Sequence, residues 1–190
     1  MPWRSKYYDK KAIAESTQIY THTHEKSAEK QDFSKNGCSV PDSRGYTNKI
    51  EGCPFCNMFE QSNDRENFIL KRYEHCAVLL NLHPYNTGHL LVVPYMHTGD
   101  LDALGIPARA EMFKLVNSMT KILYTTLNCD GINIGINLGD GAAGGSIPDH
   151  VHVHIVPRYK GDTNFLPITS NTRLITRDLN DVYDQLVKVL

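Results

Sequence analysis

Residues 149–158, "DHVHVHIVPR", place His150, His152 and His154 at every second position. Imidazole titrates near neutral pH, ligates metals when neutral, and attacks electrophiles when one ring nitrogen keeps its lone pair. Alternate strand residues point to opposite faces, so the three histidines share one face and Val151, Val153 and Ile155 the other. In a helix His152 would point away from its two neighbours, and the β-branched residues between them would fit poorly. Histidines two apart on a strand stand roughly 7 Å from each other. Nitrogen ligands around one tetrahedral zinc need a separation of only about 3.3 Å. The triad alone is therefore a poor cage, and at most one or two of its members can serve a single ion.

The preceding loop, "DGAAGGS" (140–146), adds a second kind of chemistry. Gly139, Gly141, Gly144 and Gly145 leave backbone N–H groups open to close approach by an anion, and Ser146 adds a hydroxyl donor. Such a loop by itself fits an ordinary turn equally well. Feeding three histidines, it points to a phosphate beside an imidazole, and so to attack on phosphorus by a neutral histidine. A neighbouring backbone carbonyl or histidine would fix the tautomer. A third feature is Cys53-Pro-Phe-Cys56, which suggests either a metal knuckle or a redox pair. Five cysteines without a secretory leader argue against a disulfide framework, and Cys76 and Cys129 read as inert thiols. His22 and His24 also alternate, but no apolar strand surrounds them, so they read as solvated loop histidines.

The elements that must hold these groups follow from periodicity. Residues 75–82 and 89–95 are short apolar runs around the turn "HPYNTG", an antiparallel hairpin. Pro107 opens a helix of about 20 residues whose apolar face carries Met112, Val116, Met119, Leu123 and Leu127, with Gly131 as its stop. Residues 132–139 form a third strand and "HVHVHIVPR" a fourth. Leu179, Val182, Leu186 and Val189 share one face of a C-terminal helix. The order hairpin, helix, hairpin predicts an α+β domain with an antiparallel sheet. Residues 8–50 are polar and aperiodic, which predicts a long loop or disordered insertion with one helical turn near residues 10–17. The chain therefore divides at residues 1–50 and 51–190. A net charge of −1 with mixed signs announces no nucleic-acid surface, and no run of about 18 apolar residues predicts a membrane helix. The N-terminus lacks a signal-peptide pattern, so a cytoplasmic protein is expected.

"HVHVHIV" resembles the signature of the histidine triad (HIT) nucleotide hydrolases and transferases. "LLNLHPYNTGHLLVVPYMH" (79–97) resembles that family's first hairpin, and "PWRSKY" (2–7) and "GCPFC" (52–56) resemble the entry segment of a bacterial-type subgroup. "NLGDGAAGGSIPDHVHVHIVPRYKGDTNF" (137–165) is similar to the diadenosine tetraphosphate phosphorylase-like branch. The resemblance implies a HIT-like fold: an antiparallel sheet of about five strands, one long helix and a C-terminal helix. It implies His152 as nucleophile on the α-phosphorus of a dinucleoside polyphosphate. A nucleotidyl-histidine intermediate would then be released by water, making a hydrolase, or by phosphate, making a phosphorylase. His154 matches the histidine contacting the α-phosphate and leaving group, and His89 the fourth family histidine. Asn81 matches the ribose contact and Asn137 the phosphate-side asparagine, with Gly144, Gly145 and Ser146 in the nucleotide loop.

Zinc-containing relatives imply Cys53, Cys56, His97 and His150 as a structural Cys₂His₂ zinc site. The βαβ setting usual for a redox CxxC is missing from the sequence. Relatives pair through the long helix and third strand, which implies a homodimer and a nucleotide partner, with no nucleic acid and no membrane. A purine nucleoside phosphoramidase and a zinc-stabilised nucleotide-binding module are the alternative readings. The polar insertion departs from the family's usual short link before the CxxC.

Overall fold

Short runs of leucine and β-branched residues set the frame. The structure is a computed structural model describing residues 52–139, 145–170, 172 and 174–190. The expectations placed on residues 1–50 and on Gly141 and Gly144 lie outside the described residues. The strands are β1 (Ile69–Arg72), β2 (Cys76–Leu80), β3 (Leu90–Pro94), β4 (Gly131–Ile136) and β5 (Val153–Arg158). They form one antiparallel sheet in the order β1-β2-β3-β5-β4. The described helices are α1 (Pro54–Glu60), α2 (Ile106–Leu127), the single turn α3 (Leu166–Thr169) and α4 (Leu179–Val187). This is the α+β class and the HIT-like arrangement expected.

Every residue of β2 and β3 is buried because both faces of the sheet are covered there. On one face Val78, Leu80, Leu90, Val92 and Ile155 pack beneath Met112, Met119 and Leu123 of α2 and Leu186 of α4. On the other, Ala77, Leu79, Leu91 and Val93 pack against Phe55 and Cys56 of α1. The Val/His alternation divides between these faces: Val151, Val153 and Ile155 belong to the α2 core.

Four boundaries differ from expectation. The left-handed residue that ends α2 is Asn128, at φ 52°, and not Gly131, which opens β4. Asparagine tolerates that conformation because its short amide bonds locally. The third strand stops at Ile136, short of residue 139. The paired part of the fourth strand begins only at Val153, so His150 and His152 lie on the extended approach to β5. There Val151 donates its N–H to the Thr98 carbonyl at 2.7 Å instead of to a strand. Helix α4 ends at Val187, leaving Val189 52% exposed, while Tyr183 takes the buried place beside Val182 and Leu186. Periodicity marks neither α1 nor β1, which are seven and four residues long, too short to show a period. No described helix is long and apolar enough to cross a membrane.

Candidate functional site

Each histidine is set by what one of its nitrogens meets. His152 donates its Nδ1–H to the His150 carbonyl at 2.8 Å. Its remaining nitrogen, Nε2, therefore carries a lone pair. Burial lowers the His152 pKa from its usual 6.5, opposed in part by the hydrogen bond to that carbonyl. The ring is neutral at physiological pH and lines a cavity of about 390 Å³. Phe55, Met58, Leu91 and Ile147 form apolar walls, and Asn81, Asn137, Gly145, Ser146 and His154 supply polar ones. Gly145 sits at φ +81°, where side chains are strained, and a Cβ there would lie 3.4 Å from the Asn137 amide nitrogen. The structure thus brings Asn81, Asn137, Gly145 and Ser146 to one cavity with His152 and His154; Gly144 lies outside the described residues.

A relay behind His154 fixes the opposite polarity. Asn81 accepts the His83 N–H on Oδ1 at 2.9 Å, which turns its amide nitrogen toward His89 Nδ1 at 3.3 Å. The Tyr85 backbone N–H donates to the same Nδ1 at 3.0 Å. With two donors on Nδ1, neutral His89 carries its hydrogen on Nε2 and gives it to His154 Nδ1 at 2.9 Å. His154 must then carry its own hydrogen on Nε2. The Asn137 Nδ2 stands 3.2 Å from that nitrogen; two donors do not bond, so the tautomer turns this amide to present its oxygen to His154. Desolvation, helped by nearby His152, lowers the His154 pKa to about 4, which keeps the ring neutral. The Tyr85 ring stacks on His154 at 5.5 Å and 17°.

His150 faces the other way. Its Nε2–H donates to the Pro94 carbonyl at 2.8 Å, leaving the Nδ1 lone pair 3.3 Å from Cys53 Sγ and 3.8 Å from Cys56 Sγ. His97 Nδ1 lies 3.4 Å from Cys56 Sγ. One donor atom from each of Cys53, Cys56, His97 and His150 falls within 4.8 Å of the others, and all four residues are buried. The hydrogen bond with Cys56 holds the Cys53 thiol well below its usual pKa against the cost of burial. A buried thiolate with no cation is costly, and two thiolates with two lone-pair imidazoles suit a tetrahedral zinc. The carbonyl on His150 is the outer partner that orients metal-binding imidazoles. The residues therefore fit the ion. His97 and His150 come from separate segments that touch at Gly99, where a Cβ would lie 2.6 Å from the Pro148 carbonyl oxygen.

Three contributors are absent from the residue-type reading. Phe55 sits between the two cysteines, and its ring meets the edges of both His150 (5.3 Å) and His152 (5.1 Å). Tyr85 acts through its backbone N–H and its ring, and Pro94 through a carbonyl. A Cys-Pro-Phe-Cys knuckle beside a histidine strand is the signal that could have found Phe55. The Tyr85 N–H and the Pro94 carbonyl are main-chain contributions, which no residue type announces.

Comparison with known proteins follows the same lines. The HIT domain matches residues 62–161, more than half of the chain. An AP-4-A phosphorylase of Mycobacterium tuberculosis (strain CDC 1551 / Oshkosh) is 38% identical over 121 residues, 64% of this chain and 62% of that protein. The match thus spans less than two thirds of that relative's length. A bis(5'-adenosyl)-triphosphatase of Saccharomyces cerevisiae (strain YJM789) is 34% identical over 93 residues, 48% of this chain and 44% of that protein. The crystal structure of a Zn-bound histidine triad family protein from Mycobacterium smegmatis superposes with a TM-score of 0.56 at 28% identity, over 72% of this chain and 91% of that one. Three buried histidines on β5 and the segment leading into it, a fourth behind His154, and a matched domain that spans all five strands place this chain in the HIT family.

Proposed function

We propose that this chain cleaves dinucleoside polyphosphates through a nucleotidyl-histidine intermediate on His152. The observation that carries the reading is the His152 Nδ1–H bond to its neighbour's carbonyl, which aims a lone-pair Nε2 at a nucleotide-sized cavity. The apolar walls suit a base, and Asn81, with one amide hydrogen and one oxygen lone pair still to offer, suits the ribose hydroxyls. Nε2 attacks the α-phosphorus, the bond to the bridging oxygen breaks, and the nucleoside polyphosphate leaves opposite His152. It leaves as a stable anion and needs a donor, not a full proton; the His154 Nε2–H supplies one when the leaving oxygen takes the place of the Asn137 amide oxygen. Charge gained by the His152 ring is spread through Nδ1–H to the His150 carbonyl. Phosphate, or water that gives up a proton to solvent, then attacks the nucleotidyl phosphorus; the P–Nε2 bond breaks and Nε2 regains its lone pair. Similarity to an AP-4-A phosphorylase favours phosphate as acceptor.

Zinc held by Cys53, Cys56, His97 and His150 would neutralise the buried thiolates and tie α1 to the segment carrying the nucleophile. We assign it a structural role, because all four positions are closed by protein ligands. A homodimer through α2 and β4 is supported by β4 standing at the sheet edge with Ile134 exposed, and by Phe113 exposed on α2.

The test is incubation with diadenosine tetraphosphate, with and without inorganic phosphate. ATP and ADP formed only with phosphate identify a phosphorylase; ATP and AMP formed regardless identify a hydrolase. No turnover by the wild type would sink the proposal.

A further inference from the structure

The reaction-side face of β5 continues beyond His154. Val156 and Arg158 take the next two same-face positions, the latter roughly 13 Å along the strand. Asn133 lies opposite Val156 on β4. With Tyr85, Asn164 and Leu174 these residues line a second cavity of about 360 Å³. Tyr85 belongs to both cavities, and its ring covers His154 where they meet.

The polar chemistry of the second cavity is one-sided. Arg158 Nε and Nη2 donate to the two Asp162 oxygens at 2.6 and 2.8 Å, so its charge is already balanced. Its Nη1 donates to Asn133 Oδ1 at 2.9 Å. Asn164 Oδ1 accepts the Leu166 N–H at 2.9 Å. The amide oxygens are engaged, while the amide nitrogens of Asn133 and Asn164 and one Nη1 hydrogen of Arg158 have no partner among the described residues. A wall of donors with no net charge suits an acceptor-rich group such as phosphate oxygens or purine ring nitrogens.

Resting on the proposed function, we propose that this second cavity holds the departing half of the dinucleoside polyphosphate. In-line displacement sends the leaving oxygen away from His152 Nε2. The strand runs from His152 through His154 to Val156 and Arg158, so a chain leaving past His154 reaches this cavity. Tyr85 forms the shared wall that it passes.

The experiment compares three substrates: diadenosine tetraphosphate, adenosine tetraphosphate and adenosine phosphoramidate, which leaves only ammonia. Val156→Phe fills the cavity floor, and Asn133→Leu removes one of the donors on β4; melting temperatures and the oligomeric state, each compared with the wild type, confirm folding and assembly. Each variant is expected to lower kcat/KM for diadenosine tetraphosphate about tenfold relative to the phosphoramidate. Loss with diadenosine tetraphosphate alone assigns the cavity to the second nucleoside; equal loss with adenosine tetraphosphate assigns it to the phosphate chain. An equal change with all three substrates, or none with any, overturns the second subsite while leaving the catalytic proposal standing. A wild type that turns over none of the three overturns both.

Discussion

His150 and His154 lie two residues either side of His152, and both are buried, yet opposite kinds of backbone group hold them. His150 gives its hydrogen to a carbonyl, that of Pro94, so the nitrogen at its far side presents a lone pair to the two cysteines. His154 is held, through His89, by the N–H of Tyr85, so its far nitrogen presents a hydrogen. His152 follows the first pattern with the carbonyl of His150 and presents a lone pair to the cavity. A carbonyl anchor makes an imidazole a ligand or nucleophile; an amide anchor makes it a donor. Identical side chains at even spacing thus acquire different chemistry from the main chain behind them.

The largest effect expected is at the nucleophile. His152→Ala should lower kcat by at least about 10⁴-fold with the melting temperature nearly unchanged, as for loss of a covalent catalyst. Turnover within about tenfold of wild type would give the lone pair to another residue. Next comes the carbonyl-anchored cluster. Cys53→Ala should abolish stoichiometric zinc and cost about 3 kcal/mol or more of stability, because it removes one partner from a buried charged set. Unchanged metal content and thermal stability would show that the four side chains assemble without an ion.

The amide-anchored relay should yield a smaller change. His89→Gln frees His154 to carry its hydrogen on either nitrogen, and kcat/KM should fall about 10- to 100-fold, the scale of a lost orienting partner. ¹⁵N spectra of the imidazoles check the contrast directly: the wild type should show His152 protonated on Nδ1 and His154 on Nε2. The same tautomer in both would break the comparison.

The mildest expectation concerns acid. Protonated His152 has no lone pair, and its pKa lies below 6.5, so the acid limb of kcat/KM should fall below that value. A limb at or above 6.5 would contradict the burial described for the ring. Stability should follow the same direction. Unfolded His154 takes up a proton near pH 6.5 and folded His154 only near 4, so the unfolded chain binds more protons between them. Its contribution is complete above pH 6.5 and is lost as pH falls toward 4, which thermal melts across that interval would reveal.

Much of this frame could be read from residue types alone. The Val/His alternation specified a face for each side chain even though His150 and His152 precede the paired strand. The three- and four-residue steps from Met112 to Leu127 gave α2, because a long amphipathic helix repeats its signal many times. Asn128 escaped because glycine is the stronger helix-stop signal and Gly131 lay three residues on. Helix α1 has only seven residues, and its apolar members serve a cavity as much as a core. Tyr85 and Pro94 escaped for a deeper reason. Each fixes a histidine through an N–H or C=O that almost any residue would carry, and only the path of the chain decides which group points inward.

The touch between Gly99 and Pro148 joins two stretches of chain that each carry one imidazole of the cysteine cluster. A methyl at position 99 would act as a wedge on that seam, prising His97 from His150 without altering any donor atom. Drift at this single glycine could therefore tune how long a metal stays bound, and loosen the histidine strand by degrees, while every residue that performs chemistry remained intact.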